Sequence, residues 1–73
     1  MVYKYIDIVG TSTTDISDAA NNAFIEAGKT VKNISWGELG RVTFRVEEGK
    51  LEYQAEVRIG FKVKRDEGED DNK

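Results

Sequence analysis

The stretch 51–64, Leu51-Glu52-Tyr53-Gln54-Ala55-Glu56-Val57-Arg58-Ile59-Gly60-Phe61-Lys62-Val63-Lys64, decides the fold of this 73-residue chain. Apolar and aromatic residues occupy its odd positions, and polar residues or glycine occupy its even positions. Alternation with this period is typical of a β-strand that buries one face. The stretch therefore predicts a long strand with one apolar face and one polar face, and the polar face carries Gln54.

Another strand is predicted immediately before this one in the chain, over residues 34–47. The segment 47–50, Glu-Glu-Gly-Lys, reads as a tight hairpin turn with Gly49 at a positive φ. Apolar residues alternate in the second half of this strand, but Gly37 and Gly40 interrupt the pattern in the first half. Glycines inside a strand indicate a bulge or a close backbone approach. The two strands are expected to pair as an antiparallel hairpin.

The N-terminal part of the chain predicts a strand followed by a helix. Residues 2–9 are rich in β-branched and aromatic side chains, and residues 10–12 are expected to end this strand. Ser12 and Asp15 resemble a capping box, with the Ser12 hydroxyl accepting from the Asp15 amide. Gly28 falls near the predicted helix end. One apolar helix face follows from the spacing of Ile16, Ala19, Ala20, Ala23, Phe24 and Ala27.

The element order is therefore β-α-β-β, which predicts an α+β fold. A right-handed crossover from the first strand to a parallel second strand leaves room for one strand between them. The third strand fits that place, which gives the order 1-3-2 in a three-stranded antiparallel sheet with the amphipathic helix on its apolar face. The two long strands outrun the helix, so part of the sheet must meet another partner. The simplest partner is a second copy of the chain.

The absence of cysteine and histidine excludes several kinds of chemistry. Ser-His and Cys-His nucleophile pairs cannot form within the chain, and a structural zinc site is not expected. A domain of this size is marginally stable alone, so a homo-oligomer is the expected source of further stability. There is no apolar segment typical of a signal peptide or membrane span, so a cytoplasmic protein without a membrane partner is expected.

The charge of the chain is unevenly distributed. The net charge is −3, but residues 66–73 contain five acidic residues and one lysine, so the other 65 residues carry +1. Residues 66–73 are interpreted as a disordered, solubilising acidic tail, and residues 1–65 as the folded domain. The domain has no basic stripe, which argues against nucleic acid as a partner.

Trp36 is the only tryptophan, and it lies where the chain passes from the helix into the second strand. The residues that would build the core lie elsewhere, so this indole is available for a flat aromatic ligand, and the amide of Gln54 on the neighbouring strand can bond to a polar ring edge. From the residues alone, an indole in a subunit interface or the core is the preferred interpretation, because tryptophan is common at interfaces. Tyr3, Tyr5 and Tyr53 are expected to be half-buried strand residues.

Several segments together resemble the dodecin family, over residues 2 to about 64. They are Val9-Gly10-Thr11-Ser12 after the first strand, the amphipathic helix, Lys29-Thr30, Trp36-x-Glu38, and Tyr53-Gln54-x-Glu56-Val57 with Phe61. Dodecins are small β-α-β-β proteins that assemble as hollow homododecamers and bind flavins in pairs between symmetry-related subunits. The resemblance implies that Trp36 stacks on the isoalloxazine ring and that Gln54 bonds to its polar edge.

Two further residues are predicted to bind flavin: Glu38, from the Trp36-x-Glu38 segment, and Arg41, which departs from the family pattern. Arg41 stands where some relatives have an acidic residue near the ribityl chain, which favours a phosphate and hence FMN over riboflavin; a solvated strand residue is the alternative. Glu38, together with Glu56 and Arg58, is alternatively expected to form ion pairs between subunits or to line the interior of a shell.

The function implied by the resemblance is non-enzymatic. The chain is expected to store or buffer riboflavin or FMN and to quench flavin photochemistry through stacking on tryptophan at subunit interfaces. No catalytic residue and no metal ligand is predicted. The alternative is a structural oligomeric shell of the same fold that binds cations or no ligand.

Overall fold

The computed structural model describes residues 1–63, which form one sheet and one helix. The strands are β1 (Tyr3–Ser12), β2 (Ile34–Glu47) and β3 (Lys50–Lys62), and the helix is α1 (Ile16–Gly28). The predicted β-α-β-β order is confirmed. The predicted domain end at residue 65 and the predicted acidic tail lie outside the described residues. Within residues 1–63, no helix has the length and hydropathy needed to cross a membrane.

The sheet has the predicted strand order, with β3 in the centre and both neighbours antiparallel to it. The β2–β3 hairpin closes through Glu48 and Gly49, whose φ angles are 53° and 75°. Two successive positive φ angles are typical of the turn whose twist matches that of the flanking strands. The turn therefore sets the register in which β2 runs back along β3.

β1 is longer than its sequence predicts. Gly10 does not end the strand; it pairs with Ala55 of β3, and pairing continues to Ser12. The backbone of α1 packs directly on Gly10, because a Cβ there would overlap the Ala19 carbonyl oxygen and lie 2.9 Å from the Ala23 Cβ. Gly10 therefore marks a close approach of helix to strand rather than a strand end.

The helix begins one turn later than the predicted cap. Asp15, not Ser12, is the N-cap residue, and its Oδ1 accepts from the Asp18 amide at 2.7 Å. The buried Ser12 hydroxyl donates to Asp18 Oδ2 at 2.7 Å and accepts from the Thr14 amide at 2.9 Å. Ser12 thus orders the connection before the helix, and Asp15 satisfies one of the free amides in the first turn of the helix.

The core lies between α1 and the adjoining faces of β1 and β3. Its buried members are small or β-branched: Ala19, Ala23, Ala27, Ala55, Val57 and Ile59. Alanines on the helix allow its backbone to approach the sheet closely. Ile16 and Phe24 were also predicted on the buried helix face, but both are exposed, Phe24 to 49%. The reason is that α1 lies over β1 and β3 and barely touches β2.

One sheet face is only partly covered by the helix. The 13 residues of α1 span about 20 Å, whereas the 14 residues of β2 span about 46 Å. Apolar side chains beyond the helix stay exposed on its side of the sheet: Leu39, Val42, Phe44, Val46 and Leu51. The opposite sheet face, here called the open face, carries Gln54, Glu56 and Arg58 of β3.

Candidate functional site

A bulge at the start of β2 determines which way Trp36 points. Ile34 pairs with Phe61 of β3, but Trp36 pairs with Gly60, so Ser35 is an extra residue in β2. In a regular strand, Ile34 and Trp36 would lie on the same face, because side chains two positions apart do so. The extra residue reverses the phase, and Trp36 consequently lies on the open face.

A second bulge restores the original phase. Leu39 pairs with Val57 and Val42 pairs with Ala55, which leaves Gly40 and Arg41 opposite the single residue Glu56. The Arg41 amide donates to Glu56 Oε1 at 3.3 Å, which satisfies a backbone donor that the bulge removes from the ladder. The glycine predicted to mark a bulge at position 40 is therefore confirmed in that role.

The indole of Trp36 lies over Gly60. A Cβ at Gly60 would meet three carbons of the six-membered indole ring, Cη2, Cζ2 and Cζ3, each at 2.7 Å. The missing side chain thus leaves a shallow depression over Gly60, here called the seat, which the ring occupies. Trp36 is still 43% exposed. One ring face rests on the sheet, and the opposite ring face is accessible to a flat partner.

Tyr5 borders the indole on the β1 side. Tyr5 and Trp36 both pair with Gly60, from opposite neighbours of the central strand. Their ring centroids are 5.1 Å apart and their planes make an angle of 70°. This edge-to-face arrangement is a favourable aromatic contact. The predicted half-burial of the tyrosines agrees with the structure, since Tyr3 and Tyr5 are 45% and 54% exposed and Tyr53 is less exposed than either.

Arg58 lies beside this aromatic pair. Its Nε donates to Asp7 Oδ1 at 2.9 Å, and its guanidinium carbon is 4.9 Å from the centroid of the Tyr5 ring. The hydrogen bond to Asp7 and the Asp7 charge raise the pKa of Arg58, with a smaller contribution from the charge of Glu38. Arg58 thus already has a carboxylate partner within its own chain, one that its sequence did not indicate.

Glu38 lies on the open face, two residues from Trp36 and opposite Arg58 in the β2–β3 pair. It borders a cavity of about 590 Å³ together with Asp7, Glu56 and Arg58. The structure therefore brings Glu38 close to Trp36. All three residues that were predicted to form ion pairs between subunits line this cavity, namely Glu38, Glu56 and Arg58.

Gln54 shares the open face with Trp36 but not its position. Gln54 lies six residues along β3 from Gly60, which is about 20 Å at the rise of a strand. Its Oε1 accepts from the Thr43 hydroxyl at 3.1 Å, which leaves its amide NH2 group to donate elsewhere. A single tricyclic ring stacked on Trp36 does not reach Gln54 of the same chain.

Arg41 is also distant from the indole of its own chain. Five residues of β2 separate it from Trp36, which corresponds to about 15 Å. Of the four residues predicted to bind flavin, one chain thus brings together only Trp36 and Glu38. Gln54 and Arg41 lie nearer to the middle of the hairpin.

The sequence over residues 2–64 matches a family model described as Dodecin. The chain belongs to the dodecin family. Among curated relatives, Dodecin from Thermus thermophilus is 33% identical over 63 residues, which cover 85% of this chain and 91% of that protein. Calcium dodecin from Mycobacterium tuberculosis is 34% identical over 64 residues, covering 86% of this chain and 90% of the relative.

Solved structures agree with this dodecin assignment. The crystal structure of the tt0972 protein from Thermus thermophilus has 31% identity and a TM-score of 0.83, with 88% of this chain and 96% of that chain covered. Dodecin from Streptomyces davaonensis has 29% identity and a TM-score of 0.83 over the same shares of each chain. The predicted family and its β-α-β-β fold are therefore confirmed.

Two residues of the candidate site were not predicted from the sequence, namely Gly60, on which the indole lies, and Tyr5, its lateral neighbour. Gly60 did leave a signal, because it is the one residue without a side chain on the polar face of β3. Tyr5 left none, since its proximity to Trp36 depends on the register of two strand pairs. Within residues 1–63, no three His, Cys, Asp or Glu side chains are placed to share a metal ion.

Proposed function

We propose that this chain is a non-enzymatic flavin-binding protein, which stores or buffers riboflavin or FMN in the cytoplasm. The observation that carries the proposal is the accessible indole face of Trp36, held flat over Gly60 on the open face of the sheet. A flat aromatic ligand gains both dispersion and apolar burial from such a surface. Bound there, an excited flavin is quenched, because a stacked indole donates an electron that returns at once.

The residues around Trp36 fit a flavin better than they fit an arbitrary apolar ligand. An isoalloxazine ring is flat, with a polar edge that both donates and accepts hydrogen bonds. The stacking surface is supplied by Trp36, and the amide donors of Gln54 from another copy of the chain suit the polar edge. No side chain blocks the seat from below, since Gly60 contributes none.

The separation of Trp36 and Gln54 favours a site shared between copies of the chain. With about 20 Å between them along one sheet, both can contact one ring only if they come from different subunits. The same holds for Arg41, which we propose to lie near the ribityl phosphate of an FMN bound mainly by another copy. Glu38, next to Trp36, is proposed to contact the ligand within the same copy.

The surface supports self-association. A mostly apolar groove of about 580 Å³ lies between α1 and β2, with Phe24 and Leu39 along it. The distal half of the hairpin exposes a second apolar region around Phe44 and Val46. An apolar surface of this extent on a small domain is typical of an interface. We propose a homododecamer, which would bury these regions between copies.

One relative supports a second candidate function. The Mycobacterium tuberculosis relative is named calcium dodecin, and a related structure is described as having a novel calcium-binding site. In this chain, Asp7, Glu38 and Glu56 border one cavity of the open face, but within residues 1–63 of one copy they are not placed to share a metal ion, so a cation site would need carboxylates from more than one copy. An oligomeric shell that binds cations is therefore the alternative, and it predicts binding that does not depend on Trp36.

The test is a titration of riboflavin, and separately FMN, into the ligand-free protein in the dark, followed by flavin fluorescence. Strong quenching that saturates near one flavin per chain and disappears in Trp36→Ala supports the proposal. Absence of quenching by a correctly assembled oligomer would reject it. Calcium binding that is equal in the wild type and in Trp36→Ala would then favour the cation-binding shell.

Two further variants separate the roles of the residues. Trp36→Phe keeps an aromatic face but is far harder to oxidise, so it should retain part of the binding and lose most of the quenching. Arg41→Ala should weaken FMN binding and leave riboflavin binding unchanged if the guanidinium contacts the phosphate. Gly28→Ala, where an added Cβ meets nothing within 4 Å, serves as the control for both.

A further inference from the structure

Three residues form one row across the open face of the sheet. Tyr5 of β1, Gly60 of β3 and Trp36 of β2 are direct neighbours in the two registers. Because Gly60 has no side chain, the indole spans the middle strand and reaches the neighbourhood of Tyr5. The rings of Tyr5 and Trp36 are in contact across Gly60, with centroids 5.1 Å apart and planes at an angle of 70°.

The seat on Gly60 restrains the indole from below but not from the side. A ring lying on a glycine can rotate about its side-chain torsions, since no atom of Gly60 stands beside it. In this row, the lateral contact comes from Tyr5, whose ring meets the indole at a steep angle. Removal of the Tyr5 ring would leave an indole that is 43% exposed with nothing beside it in the row.

Tyr5 is itself held on its other side. The Arg58 guanidinium lies 4.9 Å from the Tyr5 ring centroid, within the range of a cation–π contact. Arg58 in turn is fixed by its charge-assisted hydrogen bond to Asp7, at 2.9 Å. Asp7 lies two residues from Tyr5 on the same strand and shares its face. The contacts thus run in series from Asp7 through Arg58 and Tyr5 to Trp36.

We propose that Tyr5 is a positioning residue for Trp36, and that the Asp7–Arg58 ion pair holds Tyr5 in place for this role. The part of this inference that concerns ligand affinity rests on the proposed flavin function, whereas the ordering of the indole does not. An indole fixed in its binding orientation before the ligand arrives loses less side-chain entropy on binding. Tyr5 therefore increases affinity through Trp36, without needing to touch the ligand.

The experiment uses Trp36 as its own reporter, because it is the only tryptophan in the chain. Near-ultraviolet circular dichroism and the fluorescence anisotropy of Trp36 are measured without ligand for Tyr5→Leu and Tyr5→Phe. Tyr3→Leu is the matched control, since Tyr3 is a similarly exposed tyrosine on the same strand and face and its hydroxyl contacts Met1. Arg58→Met removes the cation while keeping an unbranched side chain.

Tyr5→Leu should lower the anisotropy of Trp36 and its near-ultraviolet signal, and should weaken riboflavin binding about three- to tenfold. Tyr5→Phe keeps the ring and should retain wild-type values, and Arg58→Met should fall between the two. The control Tyr3→Leu should resemble the wild type. Assembly mass and far-ultraviolet circular dichroism confirm that each variant is folded.

Two results separate this inference from the flavin proposal. If Tyr5→Leu and Arg58→Met leave the anisotropy and near-ultraviolet signal of Trp36 unchanged, Tyr5 is not a positioning residue, whether or not flavin binds. If Tyr5→Leu loosens Trp36 while the wild type binds no riboflavin, the positioning role stands and the flavin proposal fails. Equal loosening in Tyr3→Leu would also overturn the inference, because the effect would not be specific to the row.

Discussion

Replacement of Gly60 by alanine should disturb the ligand site and leave the fold intact. The new Cβ would lie 2.7 Å from three indole carbons, whereas carbons in contact prefer about 3.7 Å, so the indole must rise by about 1 Å. The backbone at Gly60 is open to alanine, since its φ is not in the left-handed region. The strain therefore falls on the far end of one side chain rather than on the sheet.

The size of the effect follows from the burial of Trp36. A fully buried tryptophan removes about 200 Å² from water, so an indole that is slightly more than half-buried contributes about 3 kcal/mol. When the indole rises, a gap of about 1 Å opens between the ring and the sheet atoms around residue 60. A gap of this size forfeits a quarter to a half of the contact energy of the ring, which gives a stability loss of about 1 kcal/mol. A tilted indole should also weaken flavin binding about tenfold, a share of the energy of one stacking contact.

The assay combines urea unfolding with the riboflavin titration, on Gly60→Ala and on the control Gly28→Ala. The control introduces the same methyl group at a helical position where nothing lies within 4 Å. Gly60→Ala should lose about tenfold in riboflavin affinity and about 1 kcal/mol in stability, and Gly28→Ala should lose neither. Wild-type affinity together with an unchanged Trp36 emission spectrum in Gly60→Ala would refute the seat that the indole occupies on Gly60.

Three other variants probe the fold, the cap and the assembly. Gly10→Ala drives a Cβ into the Ala19 carbonyl oxygen and should cost about 3 kcal/mol or more in thermal unfolding, so a melting temperature close to wild type would contradict the packing of α1 on β1. Asp15→Ala should cost about 1 kcal/mol in urea unfolding through loss of the cap, and no change would indicate that another residue caps the helix. Phe44→Asp places a charge on the exposed apolar part of the hairpin and should reduce the mass measured by light scattering below that of the wild-type assembly; an unchanged mass would show that this region is not an interface.

The strands, the helix and their order could be predicted because each is encoded by a local burial pattern. Residues 51–64 alternate with period two because β3 has one apolar face, and α1 covers the middle of that face at Ala55, Val57 and Ile59. The apolar spacing within the helix reflects the same contact. The 1-3-2 order then follows from the handedness of the crossover. These patterns do not depend on knowing any distant contact.

The direction of Trp36 could not be predicted in this way. In the sequence, Trp36 has the same parity as Val42, Phe44 and Val46, which indicates the apolar face. Two bulges reverse the phase and then restore it, so the parity rule fails only between them. The second bulge had a glycine to mark it, but the first contains Ser35, which carries no such signal.

The helix cap shows a second limit of local reasoning. Ser12 and Asp15 can both accept a backbone amide, and their intrinsic preferences for the cap position are nearly equal. The continued pairing of β1 with β3 holds Ser12 in the strand, which leaves Asp15 to cap the helix. The choice is therefore made by strand pairing and not by the four residues themselves.

The candidate site was predicted as a set of residue types rather than as a geometry. The side-chain chemistry of Trp36 and Gln54 suggested a flat ligand with a polar edge, and the resemblance gave them flavin-binding roles, but the spacing of a strand separates the two by about 20 Å in one chain. The contributions of Tyr5 and Gly60 depend on register and are specific to this chain's packing. If these residues bind one flavin, as we propose, the binding site must be formed by more than one copy of the chain.

The most direct test of the central claim follows the emission of Trp36 and of flavin in the same titration. If the accessible face of the single indole is the stacking surface, both emissions should fall together and reach their minima at the same ratio of riboflavin to protein. Flavin binding that leaves the emission of Trp36 unchanged would contradict the claim, because it would place the ligand elsewhere on the molecule.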